Sequence, residues 1–303
     1  MRVHGFSHTG TDWAAITAAG VAAESIEGNV QPAIGGYRLS RRIGEGRRSV
    51  VWLAQGRQGP VALKLVDRSA ATALAHEYET AAFFAHPHIV KVLDQGRAGS
   101  MAYLAMEYAA GGSLAGHLGR ALEPRKVLAL VHQAALGLKR LHDANCVHRD
   151  LKPANFLLRA DGTLLLADFD LVTAAGARDP AARPGALFGT PRYVAPEQLE
   201  GAPAQPAADI YSLGVLMYEL LAGRPPFRGE TLMEVLSQHL VAAVPPLPPS
   251  LAALQPLADA MLAKDATRRL PDANAVLERT AALVGASVPP VTPAGPSGKR
   301  WTP

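Results

Sequence analysis

The chain has 303 residues, of which 49% are apolar and 18% are charged. This composition is typical of a soluble globular protein with a substantial core, and it excludes a chain disordered over its whole length. The net charge of +4 at pH 7 is modest and spread along the sequence, so no nucleic-acid partner is predicted. No run reaches the roughly 18 apolar residues of a membrane helix, and no signal peptide is recognisable. We therefore expect a cytoplasmic location and no membrane segment.

The single cysteine, Cys146, excludes an internal disulfide framework and fits a reducing compartment. Two roles stay open for it. It is either a small buried hydrophobe, which suits its apolar neighbourhood, or a reactive thiol.

Both ends of the chain differ from its middle. Residues 1–36 are rich in small residues without sustained periodicity, and a short helix could start near residues 11–16. We expect a partly ordered N-terminal extension over residues 1–36. Residues 285–303 form a Pro-rich tail that is predicted to be extended and mobile. A polyproline ligand for a partner is the alternative interpretation of this tail.

Residues 37–107 alternate short β-rich runs with turns and contain one helical run near residues 71–84. This pattern predicts a small antiparallel sheet with one helix. The predicted strands are, in chain order, residues 37–43, 50–54, 61–66, 90–93 and 103–106.

Helical segments dominate from about residue 114 onwards. Residues 125–142 repeat apolar side chains at helical spacing, which predicts a helix with one buried face. Residues 207–221 are apolar nearly all round and predict a helix that is buried on every side. Later helices are predicted over residues 231–240, 250–262 and 272–283.

One short segment concentrates polar chemistry. Residues 148–155 read His-Arg-Asp-Leu-Lys-Pro-Ala-Asn, and Asp168 follows the apolar run of residues 164–167. A short apolar run that ends in an acid predicts a buried strand that delivers a carboxylate to a site. The alternative is a plain polar turn between a helix and a strand. The presence of an acid, a base and an amide within eight residues favours a functional site.

Residues 148–155 resemble the catalytic loop of eukaryotic-like (Hanks-type) bacterial serine/threonine protein kinases, and Asp168 resembles their metal-binding aspartate. The resemblance extends over about residues 37–284. It implies an α+β, bilobal protein-kinase-like fold, with a β-rich N-lobe (about residues 37–107), a helical C-lobe (about residues 108–284) and ATP in the cleft.

The resemblance also implies roles in the loop. Asp150 would orient the substrate hydroxyl, and Lys152 would neutralise charge on the moving phosphoryl group. Asn155 and Asp168 would hold Mg²⁺, with Mn²⁺ as an alternative, over the ATP phosphates. The reaction implied is transfer of the γ-phosphoryl group to Ser or Thr hydroxyls of protein substrates. The oligomeric state is not predicted.

Lys64 lies in an apolar run, where burial of its ammonium group is costly unless a carboxylate pairs with it. The resemblance implies that Lys64 binds the α- and β-phosphates and that its partner is a glutamate on the single N-lobe helix. Glu77 and Glu79 are two positions apart and so face different sides of that helix. Counting back from residues 86–90 favours Glu77.

The nucleotide-binding residues are assigned by resemblance. A hairpin that approaches phosphates needs residues without a Cβ atom, and residues 44–51 supply two glycines. The set also includes the hinge, which is the segment at the end of the last N-lobe strand, and the apolar side chains expected around adenine. Its members are Ile43, Gly44, Gly46, Ser49, Val51, Ala62, Lys64, Met106, Glu107, Tyr108, Ala109 and Leu157.

The chain departs from the family pattern where Asp-Phe-Gly is expected, because Asp170 follows Phe169. The metal-binding Asp168 is kept, but the easiest backbone hinge is lost. We interpret this as a change in conformational switching. In addition, residues 174–189 contain no Ser, Thr or Tyr, so this part of the activation segment offers nothing to phosphorylate.

Residues 189–197 resemble the end of the activation segment, and Arg269 is expected to pair with Glu197. Asp209 is expected to brace the catalytic-loop backbone. Lys152, together with Thr190, implies Ser/Thr specificity. Two alternatives to an active protein kinase stay open. A small-molecule phosphotransferase would lack residues 189–191 and 195–197 in this form, and a pseudokinase scaffold is favoured only by Asp170.

Overall fold

The computed structural model of the chain describes residues 22–26, 29–46, 48–178 and 191–284. The helix start expected at residues 11–16 and the Pro-rich tail lie outside these ranges. The chain divides into two compact units. The first comprises Met1–Tyr78 and Val92–Tyr108, and the second comprises Glu79–Lys91 and Ala109–Pro303.

The first unit contains a seven-stranded antiparallel sheet with the strand order β1-β2-β3-β4-β5-β7-β6. A helix, α1 (Ala71–Phe83), follows β5, and its residues from Glu79 onwards belong to the second unit. The strands are β1 (Ala22–Ile26), β2 (Asn29–Ile34), β3 (Tyr37–Glu45), β4 (Ser49–Gly56), β5 (Gly59–Asp67), β6 (Val92–Ala98) and β7 (Met101–Glu107).

Two of these strands, β1 and β2, were not predicted. They add a hairpin to the edge of the sheet that β3 would otherwise occupy. The link from β2 to β3 is a two-residue turn in which Gly35 has φ 60° and Gly36 has φ 83°. Both values are positive, as a tight hairpin turn requires, and glycine adopts them without strain. The sheet therefore begins within the predicted extension rather than at residue 37.

Tyr103 organises the core of the first unit. Its ring meets Tyr37 edge to face at a centroid distance of 5.7 Å, and both hydroxyls donate to Asp94 at 3.1–3.2 Å. A Cβ atom on Gly35 would lie 2.3 Å from this ring, so only glycine fits at position 35. The buried core consists of Ile34, Leu39, Val50, Ala54, Val61, Leu63, Leu65, Met101, Tyr103 and Ala105.

One predicted strand is displaced. The strand expected at residues 90–93 is observed as β6, which begins at Val92. Val90 instead donates its backbone N–H to Leu166 at 2.8 Å, and Leu166 donates to His88 at 2.9 Å, both within the second unit. The apolar residues before β6 therefore serve the core of a different unit.

The second unit is mainly helical. Its helices are α2 (Pro124–His142), α3 (Pro196–Leu199), α4 (Pro206–Ala222), α5 (Leu232–Val241), α6 (Gln255–Leu262) and α7 (Ala273–Val284). The Glu123 carboxylate caps α2 by accepting from the N–H groups of Arg125 and Lys126 at 2.9 and 2.8 Å. Helix α4 is buried almost throughout, as predicted, and ends at Gly223, which has φ 71°.

The helix expected over residues 250–262 is divided in two. Pro249–Leu254 forms a 3₁₀ turn, and α6 begins only at Gln255. Pro256 has no N–H group to continue a preceding helix, but it suits the first turn of a new one. Helix α6 packs closely on α4, since a Cβ atom on Gly214 would lie 2.8 Å from Met261 Cβ.

Short strands of the second unit frame the polar loop. A three-stranded sheet has the order β11-β10-β8. A separate pair joins β9 and β12. Their bounds are β8 (Gly112–Ser113), β9 (Cys146–Val147), β10 (Phe156–Leu158), β11 (Leu164–Leu166) and β12 (Thr173–Ala174). Within the described ranges, no helix is long and apolar enough to span a bilayer.

Candidate active site

In the first unit, Lys64 pairs with Glu77. Its ammonium nitrogen lies 2.9 Å from Oε1 and 2.7 Å from Oε2 of Glu77. The two residues are only 9% and 3% exposed, so each charge depends on the other. Lys64 lies in the middle of β5, opposite Val51 and Leu104 of the flanking strands. Glu79 is exposed, in agreement with the choice of Glu77 as the partner.

The β3–β4 hairpin carries the glycines expected near phosphates. Gly44 lies opposite Val51, and the Gly46 N–H donates to the Ser49 carbonyl at 2.8 Å to close the tip. The register shifts between Arg42 and Gly44, so Ile43 lies at a bulge and is 36% exposed. Arg48, next to this tip, is exposed, and Arg47 lies outside the described residues.

The other residues expected around adenine divide between the units. Ala62 lies opposite Met106 across β5 and β7, and both are buried. Glu107 ends β7, and Tyr108 closes the segment that belongs to the first unit. In the second unit Ala109 is buried and Leu157 is partly buried in β10.

The polar loop of the second unit is held by Asp209 from α4. One carboxylate oxygen accepts from the His148 N–H at 2.8 Å, and the other accepts from the Arg149 N–H at 2.9 Å. His142 at the end of α2 contacts the same carboxylate at 3.0 Å through Nε2. Asp209 is 1% exposed, so these contacts form in a site of low dielectric, where they are strong.

Two residues at the ends of this site have left-handed backbones. Arg149 has φ 72° and Asp168 has φ 68°. Such values are uncommon for residues with a Cβ atom and mark sites where the surroundings fix the backbone. Phe169, next to Asp168, packs its buried ring against His148 at a centroid distance of 5.4 Å. The strain therefore lies at the expected metal ligand.

Asp150 presents one satisfied and one unsatisfied carboxylate oxygen. Its Oδ2 contacts the Lys152 ammonium and lies 3.3 Å from Asn155 Nδ2. Its Oδ1 is buried and has no hydrogen-bond partner among the described residues. A buried acceptor without a donor is costly, and such atoms in native structures often await a ligand or substrate. This oxygen is the one available to a hydroxyl group.

Asn155 and Asp168 carry the oxygen donors expected for a metal. The Asn155 amide nitrogen donates to the Asp150 carbonyl at 2.9 Å, which fixes the orientation of the amide. Asp168 Oδ2 lies 3.9 Å from the Lys152 ammonium. Carboxylate and amide oxygens suit Mg²⁺ and Mn²⁺. These residues therefore fit a divalent cation.

The backbone of Asp170 lacks the left-handed conformation that a position normally occupied by glycine would suggest. It occupies a turn closed by the Val172 N–H, which donates to the Phe169 carbonyl at 3.3 Å. Among the described residues other than glycine, positive φ occurs at Asn145, Arg149 and Asp168, and not at Asp170. The conformation seen here does not require glycine at this position, so aspartate is accommodated without strain.

Glu197 and Arg269 form the expected pair. The guanidinium makes two hydrogen bonds to the carboxylate, at 2.6 and 3.0 Å, and also donates to the carbonyl of Ala207 at 2.9 Å. The nearby Tyr193 donates its hydroxyl to Glu219 at 2.6 Å, a contact that the sequence did not suggest. Thr190, expected beside this region, lies outside the described residues.

His142 is a supporting residue that sequence reasoning missed. It bridges Asp209 and the start of α7, because its Nδ1 accepts from the Ala273 N–H at 3.1 Å. It belongs to no recognised motif. Its position directly after the last apolar residue of the α2 face was the only available signal.

Comparison with known proteins agrees with this geometry. The profile of the protein kinase domain matches residues 37–280. The chain therefore belongs to the protein kinase family, and the α+β fold expected for that family is confirmed.

Curated relatives of the chain are bacterial serine/threonine kinases. PknA of Mycobacterium tuberculosis is 35% identical over 272 residues, which cover 84% of this chain and 63% of that protein. PknA of Corynebacterium glutamicum is 37% identical over 254 residues, covering 78% and 54%. PkaB of Streptomyces coelicolor is 38% identical over 230 residues, covering 70% and 54%. The chain thus spans between about half and two thirds of the length of these relatives.

Proposed function

We propose that this chain transfers the γ-phosphoryl group of ATP to Ser or Thr hydroxyls of protein substrates. The observation that carries the proposal is the buried Oδ1 atom of Asp150, which has no hydrogen-bond partner among the described residues. A substrate hydroxyl placed there would satisfy the acceptor and be oriented for attack.

Lys152 and Asp150 act as a pair in this proposal. The Lys152 ammonium contacts Asp150 Oδ2, which leaves Oδ1 for the hydroxyl group and keeps a positive charge beside the reacting oxygen. Phosphoryl transfer needs little covalent chemistry from the protein, so positioning and charge neutralisation account for most of the acceleration. Lys152 supplies the charge and Asp150 the position.

The nucleotide is the second substrate. Lys64, held by Glu77, would bind its α- and β-phosphates, and the backbone of the β3–β4 hairpin would approach them through Gly44 and Gly46. Asn155 and Asp168 would hold Mg²⁺, or Mn²⁺ in its place. The bound cation would neutralise phosphate charge.

The cytoplasm is the compartment proposed for this reaction. The single cysteine supports it, because the chain has no pair of thiols to form an internal disulfide in an oxidising environment.

Purified protein would be incubated with Mg²⁺, radiolabelled ATP and a generic basic protein as acceptor. Asp150→Ala and Asp168→Asn should each lower the transfer rate by about 100-fold or more, because the first removes the hydroxyl acceptor and the second removes the charge of a metal ligand. Glu278→Gln, a charge removal at an exposed residue of the same unit, is the control. Wild-type turnover in both site variants would refute the proposal, and acid hydrolysis of the product would identify phosphoserine or phosphothreonine.

A further inference from the structure

Asp170 brings a second carboxylate to Asp168. One carboxylate oxygen of each residue lies within 4.8 Å of one of the other. Asp168 is partly buried and Asp170 is exposed. Two carboxylates this close repel each other unless a positive charge lies between or beside them. Glycine, the family residue at position 170, has no carboxylate.

The distance is compatible with a shared cation. Two oxygen ligands of one ion can be separated by at most twice the metal–oxygen distance, which is about 4.2 Å for Mg²⁺ and about 5 Å for Ca²⁺. A water ligand of the ion would extend this reach further. The turn that follows Phe169 places Asp170 there without a left-handed backbone, so a side chain is tolerated at that position.

Lys152 connects this acidic pair to Asp150. Asp150 is 9% exposed, and its Oδ1 has no hydrogen-bond partner among the described residues. Its carboxylate faces the Lys152 ammonium, and the same ammonium lies 3.9 Å from Asp168 Oδ2. Asp150 and Asp168 thus share one ammonium, and Asp170 lies beside Asp168.

We propose that Asp170 is an additional carboxylate ligand, direct or through water, of the divalent-cation site that Asn155 and Asp168 form. The proposal rests on the proposed function, because that site is the metal site of the kinase reaction. A further carboxylate raises the affinity of an oxygen-ligand site. The chain would thus hold its cation more tightly than a protein with glycine at this position.

The experiment measures cation binding without turnover. The full chain would be titrated with Mn²⁺ at a fixed concentration of a non-hydrolysable ATP analogue, and free Mn²⁺ would be read from its electron paramagnetic resonance signal. A protein-free titration corrects for Mn²⁺ on the analogue. The variants are Asp170→Asn, Asp170→Gly and Asp170→Glu, with Asp168→Asn as the site knockout and Glu278→Gln as the charge control.

Asp170→Asn and Asp170→Gly should each weaken Mn²⁺ binding by about tenfold, as expected for removal of one carboxylate. Asp170→Glu keeps a carboxylate and should stay within about threefold of wild type, and Glu278→Gln should leave binding unchanged. Thermal unfolding of each variant checks that it is folded. Two neutral substitutions at an exposed position keep the test valid if one of them disturbs the turn.

Each remaining outcome is decisive. Wild-type affinity in both neutral Asp170 variants, with binding lost in Asp168→Asn, overturns this inference and leaves the proposed function intact. A wild-type protein that binds no Mn²⁺ beyond the analogue alone overturns the inference together with the proposed metal site.

Discussion

The ammonium group of Lys64 lies 2.9 and 2.7 Å from the two carboxylate oxygens of Glu77, and both side chains are almost fully buried. Removal of either partner takes two short charge-assisted hydrogen bonds from the other in the interior, so neither residue can be changed without affecting the other. Glu79, two positions away on the same helix, faces solvent.

Lys64→Met should abolish phosphoryl transfer, and Glu77→Ala should reduce it by about 100-fold, because Lys64 then loses the group that orients it. Glu79→Ala is the matched control, since it removes the same side chain from an exposed position, and it should stay within about twofold. Steady-state assays at varied ATP would measure kcat and KM separately. Greater damage from Glu79→Ala than from Glu77→Ala would contradict the pairing.

Arg269 should be a major source of stability in the second unit. Its guanidinium is buried and makes two hydrogen bonds to Glu197 and others to backbone carbonyls. Arg269→Met should lower the free energy of unfolding by about 3–5 kcal/mol, because the Glu197 charge and these carbonyls lose their donors. Urea unfolding would measure the loss.

The exposed pair between Lys139 and Asp143 provides a comparison for Arg269. Lys139→Met should cost no more than about 1 kcal/mol, as is usual for a solvent-exposed ion pair. Equal losses from the two variants would show that burial does not strengthen the contribution of Arg269.

Activity should not depend on phosphorylation within residues 174–189, since this segment contains no Ser, Thr or Tyr. Enzyme treated with a phosphatase should phosphorylate an added substrate without a lag, and autophosphorylation sites should map elsewhere by mass spectrometry. A strict requirement for prior phosphorylation of Thr173 or Thr190 would contradict the expectation that phosphatase-treated enzyme is active without a lag.

Cys146 should be chemically inert in the folded protein. Burial raises the pKa of its thiol from 9.0 to about 11, and its side chain is 1% exposed. At pH 8 the folded protein should react with a disulfide reagent at less than a hundredth of the rate of the unfolded protein, because both thiolate and access are lacking. Rapid stoichiometric labelling of native protein would instead favour a reactive thiol.

The Cys146 thiol also makes the stability of the folded protein depend on pH, in a direction that follows from its raised pKa. The unfolded state loses the Cys146 proton above its ordinary pKa of 9.0, whereas the folded state keeps it until about 11. The contribution of this group to stability is therefore complete below pH 9 and is lost as the pH rises towards 11. A Cys146→Ala variant should show a smaller fall in stability over this interval, as measured by urea unfolding at each pH.

The sequence predicted most helices and the central strands because their apolar residues recur with a strong period. Helix α2 began one residue before its prediction, at Pro124. The β1–β2 hairpin was missed because edge strands lack a clear alternation of apolar residues. The pair Gly35–Gly36 is nevertheless a hairpin signal in the sequence, because two-residue turns favour glycine, and both residues do have positive φ in the structure.

The candidate site was predictable at the level of residues but not of geometry. A motif can place Asp150 and Lys152 two positions apart, but it cannot say which carboxylate oxygen the ammonium contacts. That choice depends on rotamers fixed by packing with distant segments, such as the Asp209 contact to the loop backbone. Similarly, the left-handed backbone of Asp168 follows from tertiary constraints rather than from local preference.

The Asp209 carboxylate has a further consequence for how the loop opens to solvent. It receives the amide hydrogens of His148 and Arg149 although it lies about sixty positions away, on α4. Exchange of these two amide hydrogens with deuterium therefore requires the loop to leave a helix that is buried almost throughout. Both should exchange together and slowly, at rates that follow the opening of α4 rather than local fraying, and Asp209→Ala should release both at once.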